Sequence, residues 1–349
     1  MAEEKKHTIV VTGATGYVAS WVVKNLLDSG HNVRATVRDK SNKSKYDHLT
    51  NIAENNKGQL EIFEADLLKP GSFDEVVHDA DMVIHMASPF KISGIKNAQR
   101  DLIEPAVVGT RNVLESVNKA KSVKRVVLTS SVVAIYGDAI DIEQTPEQVF
   151  NETIWNETST ENHQPYALSK TLAEKAAWGI YDAQKNWSLV VINPGFVLGP
   201  SLSKRKDSTS IDFMRSLLNG KYKSGVPDLY FGIVDVRNVA QAHVNGALKS
   251  EASGRHILVS DTLRALQIAK KLKQAFPDNQ KIPKKVLPNF LLYLLGPLQG
   301  FTWKFLRRNL GIKLRFDNNY SIKDLDIDYI KPDDTLREHG KQLYDDGLL

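Results

Sequence analysis

The segment that most limits what this chain can fold into is its first glycine-rich turn, Val11-Thr-Gly-Ala-Thr-Gly-Tyr-Val-Ala19. The run 7–12 ahead of it is short, apolar and strand-like, while 17–29 carries Val18, Trp21, Val22 and Leu26 at helical spacing. Gly13 permits a tight turn, Gly16 lets the backbone approach a pyrophosphate, and Ala19 is small enough for the helix to pack closely on the strand. The N–H groups and dipole of the helix start then suit an anion. The spacing is G-x-x-G-x-x-A rather than G-x-G-x-x-G, and two incidental glycines in a loop are the plain alternative. The place of the motif, directly after the first strand, favours a dinucleotide site.

Strand-like and helix-like stretches then alternate. Residues 32–37, 60–65, 82–87, 125–129 and 189–192 read as further strands, with helical patterns at 101–121 and 166–185. This alternation predicts an α/β fold, a doubly wound (Rossmann) parallel sheet covered by helices on both faces. After about 195 the pattern loosens: 204–210 is a polar loop, 236–249 a helix, 256–259 a strand and 263–275 a helix, followed by Pro-punctuated short helices. The expected division is a dinucleotide-binding domain over 1–195 with a returning segment 233–260. A smaller, mixed α/β substrate lobe takes 196–232 and 261–349.

Composition narrows the chemistry. The 349 residues are 42% hydrophobic and 25% charged, ordinary for a globular protein. There is no cysteine, which excludes disulfides, thiolate metal centres and a cysteine nucleophile. The nine histidines form no H-E-x-x-H or comparable cluster, so no metal is expected. No signal peptide is evident and no apolar run nears the roughly 20 residues that span a bilayer, so a cytoplasmic address is expected. The net charge of +5 is uneven, because 281–315 holds eight Lys/Arg and no Asp/Glu while the remainder is slightly acidic. A protein that coats nucleic acid is therefore not expected.

Two further patterns point to the reaction. The second strand ends in Arg38-Asp39, followed by Lys40, Lys43 and Lys45. An NAD site usually keeps a carboxylate there for the ribose 2′-hydroxyl, whereas Arg38 can fork onto a 2′-phosphate with Lys45 as a second cation. Asp39 turned inward, or a merely solvated basic loop, are the competing readings; NADP(H) is the expected cofactor. Residues 125–131 (RVVLTSS) end a strand in two hydroxyls, and Tyr166-Ala-Leu-Ser-Lys170 opens a helix, placing phenol and ammonium on one face. A lysine close to a tyrosine favours the phenolate and brings its ordinary pKa of about 10 nearer neutrality. Carbonyl reduction needs hydride at carbon and a proton at oxygen: Tyr166 would give the proton, Ser131 hold the oxygen, and Lys170 tune the phenol and bind the nicotinamide ribose. The alternative is that Tyr166 and Lys170 are ordinary residues of an amphipathic helix.

With VTGATGYVASWVV, VRATVRD, EADLLKPGSFDEVV, HMASPF, LTSS, YALSKTLAEKAAW, INPGFVLGP, FGIVDVRNVAQAHV and GRHILVSD in one chain, the sequence resembles the extended short-chain dehydrogenase/reductases. The similar branch is that of dihydroflavonol reductases, cinnamoyl-CoA reductases and microbial aldehyde or ketone reductases. The resemblance implies Ser131, Tyr166 and Lys170 as catalytic residues. It implies cofactor contacts at Gly13, Thr15, Gly16, Tyr17, Val18, Arg38, Lys45, Asp66, Leu67, Ala87, Ser88, Tyr166, Lys170, Pro194, Gly195, Phe196, Val197 and Ser210. The cinnamoyl-CoA reductase signature N-W-Y-C-Y-G-K is absent; HQPYALSK stands in its place. The C-terminal stretches LPNFLLYLLGPL and DNNYSIKDLDIDY are more similar to microbial members.

Phe90, Val132, Phe196, Phe213 and Met214 are candidates for an apolar substrate wall, with core packing as the equal alternative. Residues 289–310 read as a pair of lobe helices broken at Gly296-Pro297, or else as an interfacial element touching anionic lipid or covering the pocket mouth. The expected function is reduction of an aldehyde or ketone by a monomer or homodimer. The alternatives are a nucleotide-sugar epimerase or dehydratase with tightly held NAD, and a non-catalytic NADP-sensing protein.

Overall fold

The computed structural model describes residues 5–88, 97–204 and 208–349. Its strands are β1 Thr8–Thr12, β2 Asn32–Val37, β3 Gln59–Glu64, β4 Met82–His85, β5 Arg125–Thr129, β6 Ser188–Pro194, β7 Phe196–Leu198, β8 Tyr230–Asp235, β9 Gly254–Leu258 and β10 Asp261–Arg264. The helices are α1 Tyr17–Asp28, α2 Asp47–Glu54, α3 Asp74–Val77, α4 Glu104–Lys119, α5 Pro165–Asp182, α6 Thr209–Asn219, α7 Val236–Leu248, α8 Ala265–Ala275, α9 Asn289–Leu295, α10 Trp303–Asn309, α11 Asn319–Leu325 and α12 Pro332–Asp345.

Seven strands make one parallel sheet in the order β3-β2-β1-β4-β5-β6-β9. This is the doubly wound sheet expected from the alternation. The reason its central strands β1, β5 and β6 read as apolar runs is visible side chain by side chain. Ile9, Val11, Val127, Val190 and Ile192 enter the core under α1, α2 and α7. Val10, Val126, Leu128, Leu189 and Val191 point the other way, into the core under α4 and α5. Because a strand alternates faces, burying both requires apolar residues at every position. Each such side chain contributes about 1.5–3 kcal/mol on leaving water.

The segment after β8 returns to this sheet: α7 packs beside α1, and β9 pairs with β6 from Val190↔Gly254 to Pro194↔Leu258. The buried Arg125 guanidinium secures that return by donating to the carbonyls of Gly246 in the last turn of α7 and of Lys249, Ser250 and Ala252 just beyond it. The second, smaller sheet has the order β10-β8-β7, parallel between β7 and β8 and antiparallel between β8 and β10. It packs with α6, α8 and α12 around Leu198, Ile211, Leu217, Ile268 and Leu336. Two expectations change here. The helix read at 263–275 begins at Ala265, since Asp261–Arg264 pairs with β8. The polar loop read at 204–210 gives way to α6 at Thr209.

Candidate active site

The carboxyl ends of β1, β4, β5 and β6 lie along one edge of the large sheet, where open α/β sheets bind ligands. Thr12 joins two of these ends. Its Oγ1 accepts the N–H groups of Met86 and Ala87, both at 3.0 Å, and bonds His85 Nδ1 at 2.8 Å. Gly13 follows at φ +63, and a Cβ there would come within 2.9 Å of Ala87 Cα. The glycine is thus required twice, by its left-handed backbone and by the approach of the strand-end loop that carries Ala87 and Ser88. Gly16 caps α1 without any side-chain acceptor, and the first turn of α1 holds no acidic residue. Its leading N–H groups, including those of Tyr17 and Val18, therefore suit the pyrophosphate of a dinucleotide. Tyr17 also has a structural task, since its hydroxyl donates to the Gly199 carbonyl and so ties α1 to the second lobe.

The loop after β2 separates the competing charges. Arg38 and Lys45 are exposed, and Arg38 makes no ion pair or hydrogen bond among the described residues. Asp39 is bound into its own turn, accepting from Ser41 N at 2.9 Å and from Ser41 Oγ, contacts that hold its carboxyl below the usual range. The donor set at this end of the sheet is cationic, and it fits a phosphate better than a ribose hydroxyl. Asp66 and Leu67 follow β3. Asp66 is exposed and accepts from Leu68 N at 2.9 Å, while the Leu67 carbonyl is held by Asn112 Nδ2 at 2.7 Å.

Beside the turn, Ala87, Ser88, Thr129, Ser130 and Lys170 line a small cleft. Ser131 is extended after β5 and caps the following turn, Val132–Ala134, by accepting from Val133 N at 3.3 Å. Its hydroxyl also reaches the Pro194 carbonyl at 3.5 Å. The turn packs against α5, whose first residues are Pro165 and Tyr166. Gln164, just before α5, is left-handed at φ 60 and donates from Nε2 to the Gly137 carbonyl at 3.1 Å. His163 is buried against Asp138 at 2.7 Å. Together these contacts fix where Tyr166 leaves the loop.

Lys170 is buried one turn further on, its Nζ 3.5 Å from the Thr129 carbonyl. Burial lowers its ammonium from 10.5 to about 8, with Glu174 pulling the other way. The expected lowering of the Tyr166 phenol is not what the protein alone provides: withdrawal from water dominates and pushes it up to about 12. Tyr166 is thus protonated at neutral pH. His85, buried near Lys170, is pushed down to about 3 and stays neutral.

Sequence reasoning missed the support beneath this pair. Glu174 continues the 166, 170, 174 face and is fully buried; it accepts from Ser130 Oγ, from Asn193 Nδ2 at 2.9 Å and from Arg255 Nε at 2.5 Å. Arg255 stacks on Trp155 at 3.9 Å. The i,i+4 spacing of Lys170 and Glu174 was the available signal.

The substrate side is mixed. Phe90 lies outside the described residues. Phe196 and Phe213 form an edge-on pair at 5.2 Å, joined by Phe231, which sequence reasoning did not single out. Val197 pairs with Val234 in the small sheet, and Ser210 is buried in the first turn of α6. Met214 and Val132 are both buried. Met214 is fully buried with Ile211 and Leu217, three consecutive contacts of one helix face, and belongs to the core of the second lobe. Val132 is buried with Ile135, Phe150 and Ile257 in a core of its own.

Residues 9–259 match the family described as NAD dependent epimerase/dehydratase. Cinnamoyl-CoA reductase CAD2 of Medicago truncatula is 40% identical over 80% of this chain and 83% of that protein. Tetraketide alpha-pyrone reductase 1 of Arabidopsis thaliana is 37% identical over 81% of this chain and 85% of its own. Among solved structures, yeast methylglyoxal/isovaleraldehyde reductase Gre2 complexed with NADPH superposes with a TM-score of 0.81 at 29% identity, covering 98% of this chain and 100% of that one.

Proposed function

The chain belongs to the NAD dependent epimerase/dehydratase family of extended short-chain dehydrogenase/reductases, and on that premise we propose that it reduces an aldehyde or ketone to an alcohol using NADPH. The observation that carries the proposal is the joint placement of Ser131 and Lys170 around the ends of β5 and α5, with Tyr166 at the head of the same helix. The relatives are named as reductases of cinnamoyl-CoA and of a tetraketide alpha-pyrone, and the yeast neighbour, a methylglyoxal/isovaleraldehyde reductase, holds NADPH. The free Arg38 and the engaged Asp39 favour NADPH over NADH.

NADPH, when bound, supplies the hydride that adds to the carbonyl carbon. The chain's own residues manage the oxygen. Ser131 donates a hydrogen bond that fixes the carbonyl and strengthens as charge builds on its oxygen. Tyr166, protonated because its pKa stands at about 12, gives its proton to that oxygen as the C=O π pair moves there. The phenolate left behind is favoured by the Lys170 ammonium and regains a proton from solvent. An apolar wall around Phe196, Phe213 and Phe231 suits an aryl or alkyl group on the carbonyl.

The test follows NADPH absorbance with an aryl aldehyde and a panel of simple ketones. Tyr166→Phe is expected to lower kcat by about 10²–10⁴-fold. Undiminished turnover in that variant would remove Tyr166 from its assigned role, and no turnover of any carbonyl by the native chain would overturn the reading.

A further inference from the structure

The basic segment folds as a surface hairpin, with α9 and α10 separated by the turn at Gly296 and Pro297. Its inner side is fastened down. Leu292 and Leu306 are buried, Arg308 donates to Asp138 at 2.6 Å and Asp141 at 2.8 Å, and Asn309 bonds Asp138 at 2.7 Å. Trp303 Nε1 donates to the Tyr293 carbonyl at 3.0 Å and links the two helices.

The outer side is bare and apolar. Phe290 is 68% exposed, Leu294 69%, Leu298 85% and Trp303 63%. Phe290 and Leu294 lie one turn apart on α9, and Leu298 follows in the turn that leads to α10. Exposed Lys284, Lys285, Lys304 and Arg307 flank these side chains, and no acidic residue occurs anywhere in 281–315. Among the described residues no helix is long and apolar enough to cross a membrane.

We propose that this hairpin docks on an anionic lipid surface, with Phe290, Leu294, Leu298 and Trp303 entering the boundary between headgroups and acyl chains while the flanking cations meet lipid phosphates. An apolar patch rimmed by cations and lacking acids is the charge pattern such a surface selects. It disfavours a second copy of the chain, because two-fold pairing of this hairpin would set its cations against one another. The inward Arg308 is excluded from the docking set by its two carboxylate partners.

Flotation of the purified chain with vesicles of phosphatidylcholine alone, and of phosphatidylcholine mixed with phosphatidylserine, tests it. Binding is expected only to the anionic vesicles and is expected to weaken with added salt. A surface cation contributes about five-fold in affinity, so Lys284→Glu with Lys304→Glu should cost at least about twenty-five-fold. Leu294→Glu with Leu298→Glu should abolish flotation, and both double variants should melt with the native chain because all four side chains are exposed. Absence of flotation at any phosphatidylserine content, or flotation untouched by the leucine variant, would overturn the proposal. So would a concentration-dependent dimer in sedimentation that the leucine variant dissolves, with no lipid binding.

Discussion

Lys170→Met is expected to inactivate the protein and stabilise it at the same time. Lys170 is buried, and burial moves its ammonium from 10.5 to about 8. At about 1.4 kcal/mol per tenfold change in proton affinity, the buried charge costs the fold about 3 kcal/mol at neutral pH. Methionine fills nearly the same volume without that cost. The substitution forfeits one long hydrogen bond, to the Thr129 carbonyl at 3.5 Å, worth no more than about 1 kcal/mol. The net gain is therefore about 2 kcal/mol at neutral pH. The pH dependence fixes the cause. The folded pKa lies below the unfolded one, so the native chain bears the full cost below about 8 and loses it as pH rises from there towards 10.5. Lys170→Met has nothing to titrate in that window, so its advantage should shrink almost to nothing by the upper end. Urea midpoints at about pH 7 and about pH 10, read beside NADPH turnover, measure all of this. A variant less stable than the native chain at neutral pH, or one whose advantage is the same at both pH values, would refute the reasoning.

Arg38→Ala should weaken NADPH binding about 10–100-fold, the worth of a charge-assisted contact, while NADH binding stays nearly constant in titrations of the two nucleotides; equal losses would remove the phosphate role. Arg255→Leu leaves Glu174 buried without its cation at 2.5 Å, which should cost about 3–5 kcal/mol and lower the melting temperature by roughly 10 °C. A variant that melts with the native chain would show the pair to be structurally idle.

The large sheet was legible because its central strands are buried on both faces and so announce themselves locally, while the edge strand Gln59–Glu64 still shows alternating apolar residues. Asn32–Val37 and Arg125–Thr129 were readable to the residue, as was the helix start at Tyr17. The small sheet was not. Phe196–Leu198 is three residues long, Asp261–Arg264 has no alternating pattern, and both are strands only because Tyr230–Asp235 lies between them. Pairing across such sequence distance leaves no periodic trace. Met214 shows the opposite case: Ile211, Met214, Leu217 and Leu218 have helical spacing, and that spacing assigns Met214 to a core. The phenol pKa was misjudged because i,i+4 spacing reports the nearby lysine but not the burial that outweighs it.

How the two lobes meet follows from a few close approaches. Gly195 sits where β6 turns into β7, and a Cβ there would fall 2.2 Å from the Gly232 carbonyl oxygen. No other residue type allows β8 to pass so near, so Gly195 sets the distance between Ser131 at the end of β5 and the aromatic side chains that begin at Phe196. From the opposite side, Tyr17 and Trp21 of α1 donate to the carbonyls of Gly199 and Pro200, while Gly199 N donates to His339 Nδ1 of α12 at 3.0 Å. The glycine-rich turn is thus bolted to the segment that starts the second lobe. Since α1, β7 and α12 share these bonds, substitutions at Phe196, Phe213 and Phe231, whose rings meet one another without hydrogen bonds, are expected to disturb the fold less than substitutions at the lobe junction itself.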